Sequence, residues 1–254
     1  PHFGFDSYLH VQDGHAGLGA HFPLSVVSQD GVSEISGNAE IGRGIVESRA
    51  PVSRERAFDY IEKYREWNKG VYMDDLSTDA ACEFISRKRQ EPFFMYLAFH
   101  APHTKYVCPS IGEYMDKAWD PLSKGYVSMV ERMDGHVGRV LDALAKTGID
   151  EETIVFFTSD NGGVCRDGEE GIDREEWVAF RKRIQPNRDL RKGKHYHFEG
   201  GIRIPMVVRW PGRIEAGSVS EVPWYFADAF PTLAEIGTAQ NLVPDNLDGQ
   251  SVLP

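Results

Sequence analysis

The chain has 254 residues, with 28 Lys or Arg against 39 Asp or Glu, so its formal charge is −11. At 41% hydrophobic and 26% charged residues it is an ordinary globular composition, long enough for a substantial core. The acidic balance argues against a general nucleic-acid binder, no apolar run approaches the ~20 residues of a membrane span, and three scattered cysteines build neither a disulfide framework nor a Cys-based zinc site.

Residues 1–52 are rich in Gly, His, Ser and Asp and predict long loops with a strand or two. Tyr60, Ile61, Tyr64 and Trp67 share a helical spacing within 53–69. Ser77-Thr78-Asp79 offers capping oxygens for a helix that carries Ala81, Phe84 and Ile85 to about Arg89. The run Phe93 to Phe99, between Pro92 and Pro102, predicts a strand buried on both faces. Met129, Met133, Val137, Val140, Leu141 and Leu144 recur at three- and four-residue intervals and predict a helix that ends at Gly148. Thr153 to Thr158 is the next strand, so the order strand, helix, strand implies a parallel βαβ unit. Pro205 to Trp210 reads as a further strand, and Val222 to Ile236 as a helical stretch interrupted by Pro231. The class is α/β.

In open α/β sheets ligands sit beyond the carboxyl ends of strands, and two strands here end in polar clusters. The first is His100-Ala101-Pro102-His103-Thr104-Lys105, the second Ser159-Asp160-Asn161-Gly162-Gly163. A carboxylate beside a carboxamide supplies hard oxygen donors that suit Ca²⁺ or Mg²⁺. Taken alone, Asp-Asn-Gly-Gly is more often a turn than a metal site and the His pair more often two polar loop residues than catalytic ones, and no third His or Cys at ligand spacing supports zinc. A third cluster, 190–205, places Lys194 in a glycine-containing loop that leads through Glu199-Gly200-Gly201 into a strand. Such an ammonium is a compact charge for sulfate or phosphate.

Phe-Phe-Met-Tyr-Leu-Ala-Phe-His-Ala-Pro-His at 93–103, Phe-Phe-Thr-Ser-Asp-Asn-Gly-Gly at 156–163 and Leu-Arg-x-Gly-Lys-x-x-x-Phe-Glu-Gly-Gly-Ile-Arg-x-Pro at 190–205 together resemble the formylglycine-dependent sulfatases of the alkaline phosphatase superfamily. Gly4-Phe5-Asp6 and Leu247-Asp248-Gly249-Gln250-Ser251-Val252-Leu253-Pro254 match further landmarks of that family. The resemblance implies an alkaline-phosphatase-like α/β sandwich with a large, mostly parallel sheet between helices. It implies sulfate-ester hydrolysis by a Cys- or Ser-derived formylglycine beside a bound Ca²⁺, preferred over Mg²⁺. Asp160 and Asn161 match calcium ligands, Lys194 the lysine on the sulfate oxygens, and His103 the histidine on the substrate oxygen. The pattern fixes His100 less firmly, and His195 and His197 fill positions that are usually small or hydroxylated. Lys105 replaces a usual proline.

The family's nucleophile lies in a Cys/Ser-x-Pro/Ala-x-Arg motif, and the sequences at Cys82, Cys108 and Cys165 all depart from it. The N-terminal Asp-Asp calcium pair is also absent. Because these elements precede Gly-Phe-Asp in the family, 1–254 reads as the back part of the large catalytic subdomain, incomplete at both ends, with the small C-terminal subdomain missing and the chain alone inactive. Pro1-His2-Phe3-Gly4, without Met or signal pattern, is read as a cut or processed end. A formylglycine-generating or sulfatase-maturing enzyme is the implied partner of the full-length protein.

The basic segment Arg174, Arg181, Lys182, Arg183, Arg188, Arg191, Lys192 is either a solvated face or a funnel for an anionic substrate such as a sulfated saccharide. Trp177, Phe180 and Tyr196 either stack on sugars or pack the loop. A phosphodiesterase or phosphonate hydrolase of the same superfamily and a non-catalytic anion-binding fragment are the rival readings. The family habit points to a periplasmic or secreted protein, and no Asn-x-Ser/Thr acceptor site occurs.

Overall fold

The computed structural model describes residues 6–11, 21, 23, 25–35, 38, 70–87, 91–103, 106–165 and 174–253. The helix expected over 53–69, Gly4-Phe5, and Thr104-Lys105 lie outside them. The chain divides into two compact units, Pro1–Pro211 and Gly212–Pro254.

The first unit opens with β1 (Leu9–Val11), β2 (Ser25–Ser28) and β3 (Gly31–Glu34), an antiparallel sheet in the order β1-β2-β3. Gly31, at φ 114, closes the tight β2–β3 connection in a conformation only glycine adopts readily. Helix α1 (Met73–Ser86) starts four residues before the expected cap. The reason lies in Thr78, whose hydroxyl donates back to the Asp74 carbonyl at 2.6 Å instead of capping a helix end. Asp74 and Asp75 occupy the first turn, where the helix dipole favours negative charge.

Helix α2 (Pro121–Thr147) begins at Asp120, whose Oδ1 accepts the Ser123 N–H at 2.8 Å, with Pro121 at the first helical position. It ends as expected at Gly148, in the left-handed conformation at φ 72. Its 27 residues make a rod about 40 Å long. An acidic stripe on α1 faces a basic one on α2: Arg132 grips Asp75 through Nε at 2.7 Å and Nη2 at 2.6 Å, His136 Nε2 lies 2.9 Å from Asp75 Oδ1, and Arg139 pairs with Asp79. Helix α3 (Arg174–Ile184) supplies Trp177 and Phe180, which are buried with Ala101, Tyr106, Cys108 and Met129 in one core. Phe180 lies 4.9 Å from the Tyr106 ring and 5.3 Å from the Trp177 ring. These two aromatics therefore pack the loop and are not sugar platforms.

Two expectations about strands need correction. The run 93–99 is extended but belongs to no ladder among the described residues, and its alternate side chains stay open, with Phe94 57% and Tyr96 75% exposed. It is not buried on both faces; a continuous apolar run carries no period from which coverage can be read. The described ladder of β4 (Val155–Thr158) is antiparallel, with β5 (Met206–Arg209), in the register Val155↔Arg209 to Thr158↔Met206. The parallel pair expected of the βαβ order is not among the described ladders.

In the second unit, α5 (Phe226–Ile236) contains Pro231 without breaking. Proline removes the N–H that would bond Ala227 O, and the chain at Gly249 packs against that carbonyl so closely that a Cβ would sit 2.0 Å from it. Buried Asp228 accepts the N–H of Tyr225 at 3.0 Å and of Gln250 at 2.9 Å, tying the terminal Asp248-Gly249-Gln250 landmark to the start of α5.

Candidate active site

Antiparallel pairing puts the end of β4 beside the start of β5, and Thr158 Oγ1 seals that point by donating to Pro205 O at 2.9 Å. Two glycine-rich loops meet there, main chain against main chain. Gly162 N–H donates to Gly201 O at 3.0 Å, Lys194 N–H to Gly163 O at 2.9 Å, and Gly200 N–H to Arg191 O at 2.9 Å. The one-turn helix α4 (Glu199–Ile202) carries Gly200 and Gly201 into this contact. No side chain fits between the loops: a Cβ would fall 1.8 Å from Gly200 O at Gly162, 2.2 Å from Gly163 O at Gly193, and 2.0 Å from Lys192 O at Gly200.

The junction is pinned by Asn187, which the sequence reading passed over. Its Oδ1 accepts the Gly163 N–H at 2.8 Å, while its Nδ2 donates to Gly163 O at 2.8 Å and Lys192 O at 2.9 Å. Asp160 is exposed and Asn161 half-buried; Asn161 Nδ2 donates to Gly162 O at 3.1 Å, which leaves its oxygen as the end suited to a cation. Carboxylate and carboxamide oxygens are the donors a hard cation prefers. Among the described residues no three His, Cys, Asp or Glu side chains group for a metal. Lys194 is half-buried and fixed through its own N–H to the same glycine segment. His195 is exposed at φ 77 and His197 is exposed.

The His100–His103 segment forms a second cluster. Asp74, 1% exposed, accepts the N–H of His100 at 2.9 Å and of Ala101 at 3.0 Å. The Ala101–Pro102 bond is cis, and His103 N–H donates to His100 O at 2.8 Å. Buried His21, invisible as a site residue in the sequence, closes the loop from the other side: its Nε2 donates to His103 O at 3.2 Å and its Nδ1 accepts from the Tyr72 hydroxyl at 3.4 Å. Of the two neutral tautomers only Nε2–H satisfies both bonds. Burial, reinforced by His100, pushes the His21 pKa down to about 3. Burial also lowers His100, against the pull of Asp74, whose own carboxyl burial raises despite the two amides it receives. Ala101 belongs to the aromatic core of α3, and Val164, next to Gly163, packs against it. Both clusters therefore rest on one core.

A family model, Sulfatase, matches residues 27–238. The chain belongs to the sulfatase family. Mouse steryl-sulfatase is 36% identical over 177 residues, 69% of this chain and 26% of that protein. Mouse N-acetylgalactosamine-6-sulfatase is 32% identical over 184 residues, 72% of this chain and 32% of that protein. The chain thus spans roughly a quarter to a third of the length of these curated relatives. A crystal structure of Ps i-CgsB in complex with k-i-k-neocarrahexaose superposes with a TM-score of 0.57 at 31% identity, covering 70% of this chain and 37% of that one. The α/β, alkaline-phosphatase-like fold expected of the sulfatase motifs is the fold found.

Proposed function

We propose that the protein containing this chain hydrolyses the sulfate ester of a sulfated saccharide or aryl sulfate. The observation that carries the reading is the glycine junction, which ties Lys194 by its own N–H to the segment that immediately follows Asp160-Asn161. Asp160 and Asn161 are the residues that would hold calcium, and a bound calcium ion supplies positive charge to the sulfate oxygens. Lys194 adds an ammonium for the same oxygens. His103, its backbone held by His21 and by the turn from His100, presents an imidazole to the ester oxygen and passes a proton toward the leaving group.

A formylglycine, generated by a maturing enzyme on a Cys or Ser outside these 254 residues, supplies the nucleophile. The cysteines present do not suit that task. The sequences that follow Cys82, Cys108 and Cys165 all depart from the motif. The 254-residue chain alone is accordingly inactive. The saccharide reading draws support from the k-i-k-neocarrahexaose complex and the N-acetylgalactosamine-6-sulfatase relative.

The test is turnover of an aryl sulfate and an aryl phosphodiester by the full-length protein, with calcium present and after chelation. Sulfate turnover that chelation abolishes and that Lys194→Ala lowers on the order of 10²–10³-fold supports the assignment. Preferential cleavage of the phosphodiester overturns it.

A further inference from the structure

Carboxylates in the first turn of a helix ordinarily answer that helix's own free N–H groups. Asp74 instead turns both oxygens away from α1: Oδ1 accepts the His100 N–H at 2.9 Å and Oδ2 the Ala101 N–H at 3.0 Å. Tyr72, the N-cap residue of α1, makes no side-chain cap bond and directs its hydroxyl to His21 Nδ1 at 3.4 Å. His21 Nε2 in turn holds His103 O at 3.2 Å. Both ends of the His100–His103 turn are thus tied to one helix start. Tyr72, Asp74 and His21 are each 1% exposed, so water does not compete for these bonds.

That helix start is itself fixed from two sides. Buried Asn38 accepts the Val71 N–H at 2.7 Å and donates to Val71 O at 2.8 Å, which locks the residue before Tyr72. Arg132 of α2 lies 5.8 Å from the centre of the Tyr72 ring and grips Asp75, next to Asp74. The Asp74 carboxylate is costly to bury: burial raises its pKa even against the two amides and the His100 imidazole 3.9 Å away. In return it offers two acceptors on one rigid fork and so fixes consecutive peptide units. A carboxamide would set its NH₂ against the second N–H. For an acid that must reach one oxygen of the substrate, a misplacement of about 1 Å costs on the order of 10²-fold in rate.

We propose that Asp74 and Tyr72 are positioning residues, which set the His103 imidazole at the ester oxygen through the His100 and Ala101 peptides and through His21. The proposal rests on the sulfatase reading above and names what places its acid.

The test uses two aryl sulfates with the full-length protein, one releasing nitrophenol and one releasing an unactivated phenol. Protonation of the departing oxygen matters for the second and little for the first. Asp74→Asn removes one acceptor together with the desolvation cost of the charge. In this variant kcat for the unactivated ester falls on the order of 10²-fold with KM little changed, while the nitrophenyl ester is nearly unaffected. Placed on His103→Ala, the same substitution adds no further loss on the unactivated ester. Equal losses on both esters, or full additivity with His103→Ala, overturn the proposal, because a merely structural defect lowers both esters alike. If Asp74→Asn does not fold, Tyr72→Phe decides by the same split, since it removes the hydroxyl that fixes the His21 tautomer. If the wild type cleaves no sulfate ester, the sulfatase reading fails on its own. The positioning is then judged by crystal structures of the wild type and the folded variant, where an unmoved His103 ring overturns it.

Discussion

Asn187 engages both main-chain polar groups of Gly163, accepting from its N–H and donating to its carbonyl at the same 2.8 Å. Because Nδ2 also reaches Lys192 O, one side chain holds together the loop that follows Asp160-Asn161 and the loop that carries Lys194. Replacing it with Ala leaves backbone groups that water satisfies only in part, for a loss of about 1–3 kcal/mol. Asn187→Asp is worse for the junction, since a carboxylate has no donor for two carbonyls. Urea unfolding of both variants, with sulfate turnover measured in parallel, checks the order: wild type, then Ala, then Asp.

The glycines fall into two groups with opposite expected responses. Gly200→Ala places a methyl 2.0 Å from Lys192 O and 2.8 Å from Arg191 O, so the loops separate and activity is lost. Gly135 and Gly138, exposed on α2, have nothing within 4 Å of a Cβ, and Ala at either raises stability by about 0.5–1 kcal/mol. Melting temperatures of the three single variants test the contrast.

Asp75 joins α1 to α2 through Arg132 and His136. Burial pushes its carboxyl up, but His136, 2.9 Å away, and the paired hydrogen bonds from Arg132 together outweigh burial and hold it below the ordinary carboxylate value of 3.8. Its contribution is therefore present above that value and is lost as pH falls through the lower folded-state pKa. Asp75→Asn should cost about 1–2 kcal/mol at pH 7. The gap from wild type should narrow as pH falls below 3.8, which denaturant titrations at pH 7 and in acid would show.

His21 gives a second acid sensitivity over a different interval. Its folded pKa of about 3 lies below the ordinary 6.5, so the unfolded chain binds the extra proton between these values. Stability accordingly falls as pH drops from 6.5 toward 3, by at most about 1.4 kcal/mol per pH unit from this group. His21→Gln keeps a donor for His103 O and cannot titrate, so it should flatten that part of the curve. An unchanged slope would remove His21 as the cause.

What could be read before folding was whatever carried a period or a motif. The three- and four-residue spacing from Met129 to Leu144 marked α2, and Gly148 marked its end. The apolar runs at 155–158 and 206–209 marked β4 and β5. The start of α1 was misplaced because Thr78 offers a hydroxyl that looks like a cap in sequence and is a back-bond in space. The run at 93–99 hid its exposed edge because every residue in it is apolar or aromatic, leaving no alternation to count.

The proposed site could be read where its candidate residues sit in contiguous motifs, as with Asp160, Asn161 and Lys194. Its supports were not. His21 lies 82 residues from the carbonyl it binds, and Asp74 lies 26 residues from His100. Asn187 stands among Pro and Arg in what reads as an ordinary turn. Such positioning roles arise only when the chain closes on itself, and no local pattern announces them.

Antiparallel β4 and β5 make a further point about what can be altered. Asp160-Asn161 and Lys194 hang from the same end of a two-stranded ribbon, and peptide groups, with Asn187 as the one side chain cited at the junction, hold the loops together. Their spacing is thus written in backbone geometry and is largely indifferent to which residues decorate α3 and its approaches. On the proposed function, substitutions on α3 away from Trp177, Phe180, Arg183 and Ile184 should alter the choice of substrate while the spacing of these groups is kept. Choice of substrate and power to cleave it would then be separable by mutation.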